Sequence, residues 1–295
     1  MSVVALSGAV ELGLTYALVA LGMFLSFRVL SFPDLTVDGS FPLGAAVAAA
    51  LIVARVDPWT ATAAAVLAGA LAGLVTAWLN VRFQILHLLA SILVMIALFS
   101  INIRIMGRPN VALLNQTTVL TPFEQLGLPV LWAKSLALGL VVAVVVLLLA
   151  RFLGSETGLA MRATGANPAM ARAQGIDTGR QILLGMALAN GLCALAGALF
   201  AQANGFADVT TGLGTIVVGL AAVILGETLL PARGLVVMLL ACVAGSLVYR
   251  IAVALALELD VLGLQASDLN LVTALLVAAA LLLPGWRQLL VRRPT

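Results

Sequence analysis

Apolar residues in this chain come in long runs, without the strict alternation or one-faced periodicity of water-soluble strands and helices. With at most one charge allowed inside each, the runs fall at residues 12–30, 39–54, 58–81, 83–103, 129–150, 181–204, 209–230, 234–257 and 269–286. About 20 apolar residues carry a helix across a bilayer. Backbone in lipid has no water to satisfy its polar groups, so the spanning form is helical. The pattern predicts an all-α, polytopic membrane protein of about nine segments, within a range of eight to ten. The run at 39–54 is short and opens on Gly39, Ser40 and Pro42, which predicts a discontinuous or half-buried helix.

Composition agrees with the pattern. Of 295 residues, 63% are hydrophobic and 9% charged, and the mean hydropathy is +1.19. A soluble domain is about half apolar and about a quarter charged, so these charges are too few to coat a wet surface. A mass of 30.3 kDa with few long polar stretches leaves no room for a soluble catalytic domain. The basic residues are fourteen Arg and the single Lys134, and they are scattered, whereas nucleic-acid binding needs them clustered. Cys193 and Cys242 lie inside apolar runs, as small hydrophobes do. Met1–Val10 lacks the basic region of a cleaved signal peptide, so the first segment is expected to be retained. His87, the only histidine, reads as a packed or interfacial residue, with no nucleophile or metal-ligand spacing around it. No catalytic residue and no metal site is expected.

Sidedness follows from charge. The polar stretch Arg151–Arg180 carries Arg151, Arg162, Arg172 and Arg180 against Glu156 and Asp177, which places it in the cytoplasm. Alternating crossings then put ten basic residues inside (Arg28, Arg82, those four, Arg233, Arg287, Arg292, Arg293). Four lie outside: Arg55, Arg104, Arg108 and Lys134. The N-terminus is expected outside and the C-terminus in the cytoplasm, provided the short second segment crosses. Glu227 reads as an interfacial partner of Arg233. Arg250, inside a span, needs an acidic partner, water or cargo.

The chain also resembles itself. Phe32-Pro-Asp34-Leu-Thr36 and Phe206-Ala-Asp208-Val-Thr210 stand 174 residues apart, each after a long apolar helix and before a Gly-containing one. Five crossings separate them, an odd number, so the copies insert in opposite senses, as in transporters with inverted repeats. Coincidence remains open for a match this short. The expected organisation is one transmembrane domain over 1–295, with halves at about 12–103 and 181–286 and a loop at 153–180. Asp34, Asp38 and Asp208 suit helix starts, and carboxylates at membrane depth also line wet paths; both roles are open. Phe32, Asp34, Asp38, Phe206, Asp208 and Thr210 are the path candidates.

The loop reads Gly158-Leu-Ala-Met-Arg162-Ala-Thr-Gly165-Ala-Asn167-Pro168-Ala-Met-Ala-Arg172-Ala-Gln-Gly175-Ile176. Asn167 suits an N-cap, Pro168 the first helical position and Gly175 the stop. This predicts a two-turn helix that offers Met170, Ala171 and Gln174 to a partner, since so short a helix is marginal alone. The motif resembles the coupling loop of permease subunits in the branched-chain amino acid and ribose class of bacterial ABC importers. Phe32-Pro-Asp-Leu-Thr-Val-Asp-Gly-Ser-Phe-Pro-Leu-Gly44-Ala-Ala, with Tyr16-Ala-Leu-Val-Ala-Leu-Gly22 before it, is similar to the tryptophan/tyrosine transport permease branch. The resemblance implies two paired permeases, cytosolic ATP-binding subunits docked on Arg162, Gly165, Asn167, Pro168, Arg172 and Gly175, and an extracytoplasmic substrate-binding protein. It implies a bacterial inner membrane and an aromatic or other hydrophobic amino acid as cargo. The chain itself has no Gly-x-x-x-x-Gly-Lys-Ser/Thr loop to cradle ATP, so no cofactor is expected on it and no enzymatic activity of its own. The competing reading is an ion-coupled secondary transporter working without an ATPase, which has no need of the cytoplasmic helix.

Overall fold

The computed structural model describes residues 3–124, 130–230, 234–258 and 278. In chain order they form α1 (Val3–Met23), a π-helical segment (Phe24–Val29), α2 (Val37–Val53), α3 (Pro58–Phe83), α4 (His87–Met106), β1 (Asn110–Ala112) and α5 (Thr121–Glu124). Then come α6 (Val130–Leu153), α7 (Glu156–Ala166), α8 (Pro168–Ala173), α9 (Thr178–Asn204), β2 (Phe206–Asp208), a 3-10 turn (Val209–Gly212), α10 (Thr215–Leu229) and α11 (Leu235–Glu258). Among the described residues seven helical stretches are long and apolar enough to cross a membrane, and α2 is shorter. Apart from residue 278, the predicted run at 269–286 lies outside the described residues, as do Arg233, Arg287, Arg292 and Arg293.

The helix limits follow from capping chemistry. Asp57 accepts the Trp59 and Thr60 N–H groups at 3.0 and 3.2 Å with Pro58 at the first helical position, so α3 starts there. Gly107 and Gly205, both with positive φ, end α4 and α9. The run expected at 209–230 is helical in the α sense only from Thr215, because Asp208, Thr210 and Gly214 break its start into a 3-10 turn and a left-handed residue.

α9 is the central helix, with α2 and α3 packed on it. In lipid, close backbone approach through small residues replaces the hydrophobic drive that assembles soluble cores. Gly44 of α2 lies directly on the Ala194 backbone, and Gly73 of α3 on the Met186 carbonyl; a Cβ at either position would collide. Outer faces are apolar, with Leu71 of α3 and Leu147 of α6 largely exposed. That is the surface a bilayer solvates.

The bundle has two distinct ends. At one, β1 pairs antiparallel with β2, matching Val111 with Ala207, and Lys134 donates to the Ala203 carbonyl at 3.0 Å. At the other stand α7 and α8, the Arg28–Glu227 ion pair and the start of α9. Arg28, Arg82, Arg151, Arg162, Arg172 and Arg180 gather at the α7–α8 end; Arg55, Arg104, Arg108 and Lys134 sit at the other. Glu227 pairs with Arg28 from the end of the first span; Arg233, its expected partner, lies outside the described residues.

Candidate functional site

Two of the crossings are broken. α1 and its π-helical extension reach the α7–α8 end, Ser31 turns with φ +53°, and residues 32–35, without regular secondary structure, lead back into the bundle. α2 completes that crossing. At about 1.5 Å per residue it is roughly 25 Å long, so it needs the non-helical stretch before it to match a hydrocarbon core of about 30 Å. The second break follows α9. Gly205 turns with φ +76°, and residues 206–214 descend from the β1–β2 end before α10 runs to the α7–α8 end. α2 and α10 thus run in opposite senses, and their N-termini meet.

The repeated motif adopts the same turn at both places. The Asp34 carboxylate accepts the Thr36 N–H at 2.8 Å, and that of Asp208 accepts the Thr210 N–H at 2.7 Å. Each stands three positions after a positive-φ residue, Ser31 and Gly205. Their surroundings then diverge. Asp34 is fully buried; its second oxygen accepts Asn190 Nδ2 at 2.7 Å, and Asn190 Oδ1 accepts the Ser40 hydroxyl at 2.7 Å. Thr36 Oγ1 meets Thr76 Oγ1 at 2.8 Å. This dry polar network ties the start of α2 to the middle of α9 and to α3. Asp208 instead stands at the β1–β2 end, where Asn110 Nδ2 donates to it at 3.1 Å. Partial burial pushes its carboxyl up, but the hydrogen bonds from Thr210 and Asn110 outweigh this and hold it below the usual carboxylate range.

Asp38 joins the two breaks. Its carboxylate accepts the Ile216 N–H at 2.9 Å and the Gly214 N–H at 3.4 Å, so a residue in the first turn of α2 caps the start of α10. The two phenylalanines part company. Phe32 is buried against the His87 ring at 4.2 Å. Phe206 is partly exposed and ends an aromatic chain through Phe200 to Phe41 and Tyr16. Arg250 lies over the Tyr16 ring, 3.9 Å from its centroid; its neighbour is a π face, which stabilises a desolvated cation. Thr210 is exposed beside Asp208.

Asn190, Ser40 and Thr76, absent from the sequence-derived candidates, carry the buried network. Asn102, also absent from those candidates, makes a separate buried contact, its Nδ2 donating to the Gly39 carbonyl at 3.2 Å. The available signal was an uncharged polar residue inside an apolar run.

The loop folds as its sequence predicts. Asn167 Oδ1 accepts the Ala169 and Met170 N–H groups, each at 3.1 Å, Pro168 opens α8, and Gly175 turns with φ +81°. Met170 and Gln174 are exposed, but Ala171 is buried and offers no face to a partner. Arg172 reaches Thr178 Oγ1 at 3.4 Å. Gly165 of α7 is seated on the Val29 carbonyl and Leu30 backbone, where a Cβ has no room. Arg162 lines an open cavity there with Arg28 and Glu227. α8 is thus linked, through α7, to the residues shortly before the buried Asp34 turn.

No solved structure matches this chain. It is 34% identical over 198 residues to an uncharacterized protein of Rickettsia prowazekii, covering 64% of this chain and 65% of that one. It is 37% identical over 268 residues to a Clostridioides difficile protein named "Tyrosine transport system permease protein", covering 91% of this chain and 87% of that one. Residues 5–283 match the family described as branched-chain amino acid transport system, permease component. The resemblance carried by the coupling-loop motif is therefore borne out, and the chain, a multi-pass membrane permease component, belongs to that family.

Proposed function

We propose that this permease works within an ATP-driven importer and forms the path for an aromatic or other hydrophobic amino acid. The observation that carries the reading is the α7–α8 unit: a capped helix exposing Met170 and Gln174, backed by a glycine seated on Val29 and Leu30. Such a unit suits a mechanical handle, for which a carrier working alone has no use. The amino-acid assignment is supported by the C. difficile relative's name.

In this reading two copies pair, two cytosolic ATP-binding subunits dock on α8, and an extracytoplasmic protein delivers cargo to the β1–β2 end. The α7–α8 end is cytoplasmic, with the N-terminus outside and the C-terminus inside a bacterial inner membrane. The opposed α2 and α10, each opened by the same Asp turn, support an inverted repeat. ATP-driven closure of the ATPase pair moves α8, and the broken crossings switch which side is open. Selectivity is expected to reside chiefly in the binding protein.

The test is uptake of labelled L-tyrosine by proteoliposomes holding the permease with candidate ATPase and substrate-binding subunits from the same organism. ATP-dependent uptake that vanishes without the ATPase is expected. Uptake driven by an ion gradient with the permease alone would refute the importer reading in favour of a secondary transporter.

A further inference from the structure

A cavity of about 310 Å³ lies between the first turn of α2, the second half of α4 and the chain just before α10. Its polar lining is dominated by acceptors. Asn102 is fully buried; its Nδ2 is engaged by the Gly39 carbonyl, while Oδ1 has no hydrogen-bond partner among the described residues. The half-buried Asp38 carboxylate accepts two backbone N–H groups, about half of what its oxygens can take. Among the described residues no Lys, Arg or His lines the space.

The charge balance points the same way. A helix N-terminus carries about +0.5 of a charge, and here each helix start has its own carboxylate, Asp34 for α2 and Asp38 for α10. Only Asp38 of the two lines the cavity, and the helix start it caps offsets about half of a full carboxylate charge there. An uncompensated charge at membrane depth is costly and marks a functional site. The remaining wall is apolar, with Ile96, Phe99 and Leu213 exposed along it. Acceptors and net negative charge on one side, aromatic and aliphatic surface on the other, describe a site for a donor carrying an apolar group. The volume is at the small end of ligand pockets, about 300–1,000 Å³.

We propose that this cavity binds the ammonium group of a small amphipathic amine, such as an amino acid, between Asp38 and Asn102 Oδ1, with its side chain along Phe99, Ile96 and Leu213. The inference rests on the permease reading and deepens it by placing a solute site beside the meeting helix starts. Ser100, exposed on the cavity wall, makes it testable in the full-length protein in nanodiscs. Both native cysteines are buried, so thiol reagents report only on an introduced Ser100→Cys.

Relative to a Leu114→Cys reference at the exposed β1–β2 end, Ser100→Cys is expected to react at least about tenfold faster with a methanethiosulfonate bearing ethylammonium than with one bearing sulfonatoethyl, about 1.4 kcal/mol of discrimination. Tyramine should slow the reaction, and 3-(4-hydroxyphenyl)propionate, which lacks the amine, should not. Adding Asn102→Leu should weaken tyramine protection about tenfold. Equal or anion-favouring reactivity, protection by the deaminated acid, or unchanged protection with Asn102→Leu each overturns the site. L-tyrosine uptake measured in parallel separates the two claims. Uptake without amine protection removes the site and leaves the permease reading; protection without uptake keeps the site and removes its role in tyrosine transport.

Discussion

Asn190→Ala should be among the most destabilising single changes in the described bundle. Asn190 is fully buried and spends its amide on Asp34 at 2.7 Å, on the Met186 carbonyl at 3.2 Å and on the Ser40 hydroxyl at 2.7 Å. Losing a hydrogen bond to a charged group costs about 1.5–3 kcal/mol, and stranding a buried hydroxyl about 1–3 kcal/mol more. Hydrogen bonds between membrane helices average only about 0.6 kcal/mol, because the unfolded helices find other partners in the bilayer. That lowers the Ser40 contribution more than that of Asp34, whose turn exists only in the folded break. About 3 kcal/mol is the expected loss, read by reversible unfolding in mixed micelles. Asp34→Asn keeps the Thr36 turn and an acceptor for Asn190, so it should cost about 1 kcal/mol. The double variant should then show a coupling of about 1 kcal/mol, the whole cost of Asp34→Asn. A loss below about 0.5 kcal/mol for Asn190→Ala, or no coupling in the cycle, would mean the network does not anchor the start of α2.

Gly165→Trp should leave the protein in the membrane but abolish transport-coupled ATP hydrolysis, because a side chain there displaces α7 from Val29 and Leu30; normal coupling would remove that route. A cysteine at Asn115 should be labelled by an impermeant reagent from outside intact cells and one at Met170 only after permeabilisation, and reversed labelling would invert the assigned sides. Glu227→Gln should cost no more than about 1 kcal/mol, since the Arg28 side chain is 55% exposed and solvent screens the pair; a larger loss in mixed-micelle unfolding would give it a structural role. Asp208→Asn should impair uptake without changing which solute is preferred, and a switch of preferred solute would make the permease a selecting element.

The sequence by itself determined the features that solvent and local hydrogen bonding dictate. A bilayer demands long apolar helices, so eight of the nine runs could be placed to within a few residues in most cases, and the ninth, apart from residue 278, lies outside the described residues. Capping is equally local: Asn167, Pro168 and Gly175 delimit α8, and the paired Asp-x-Thr motifs announce the same turn at both breaks. The match between Phe32–Thr36 and Phe206–Thr210 also pointed to where two crossings are interrupted. What the tertiary structure decided is which groups those interruptions meet. Phe32 and Phe206 share a motif but not an environment, because one packs under α4 and the other ends the aromatic chain from Tyr16. Asp38 looks like a cap for its own helix and instead caps α10, 176 residues away from Gly214. Asn190 and Asn102 stand out in the sequence only as uncharged polar residues inside apolar runs, which does not say what they meet, because such amides neither break a helix nor pattern one. Glu227 pairs with Arg28, 199 residues before it. Except for Phe206, whose ring neighbour Phe200 is six residues before it, the partner comes from a segment remote in the chain, brought within range by the packing of the helices; that distance is a property of the assembled bundle and not of any segment within it.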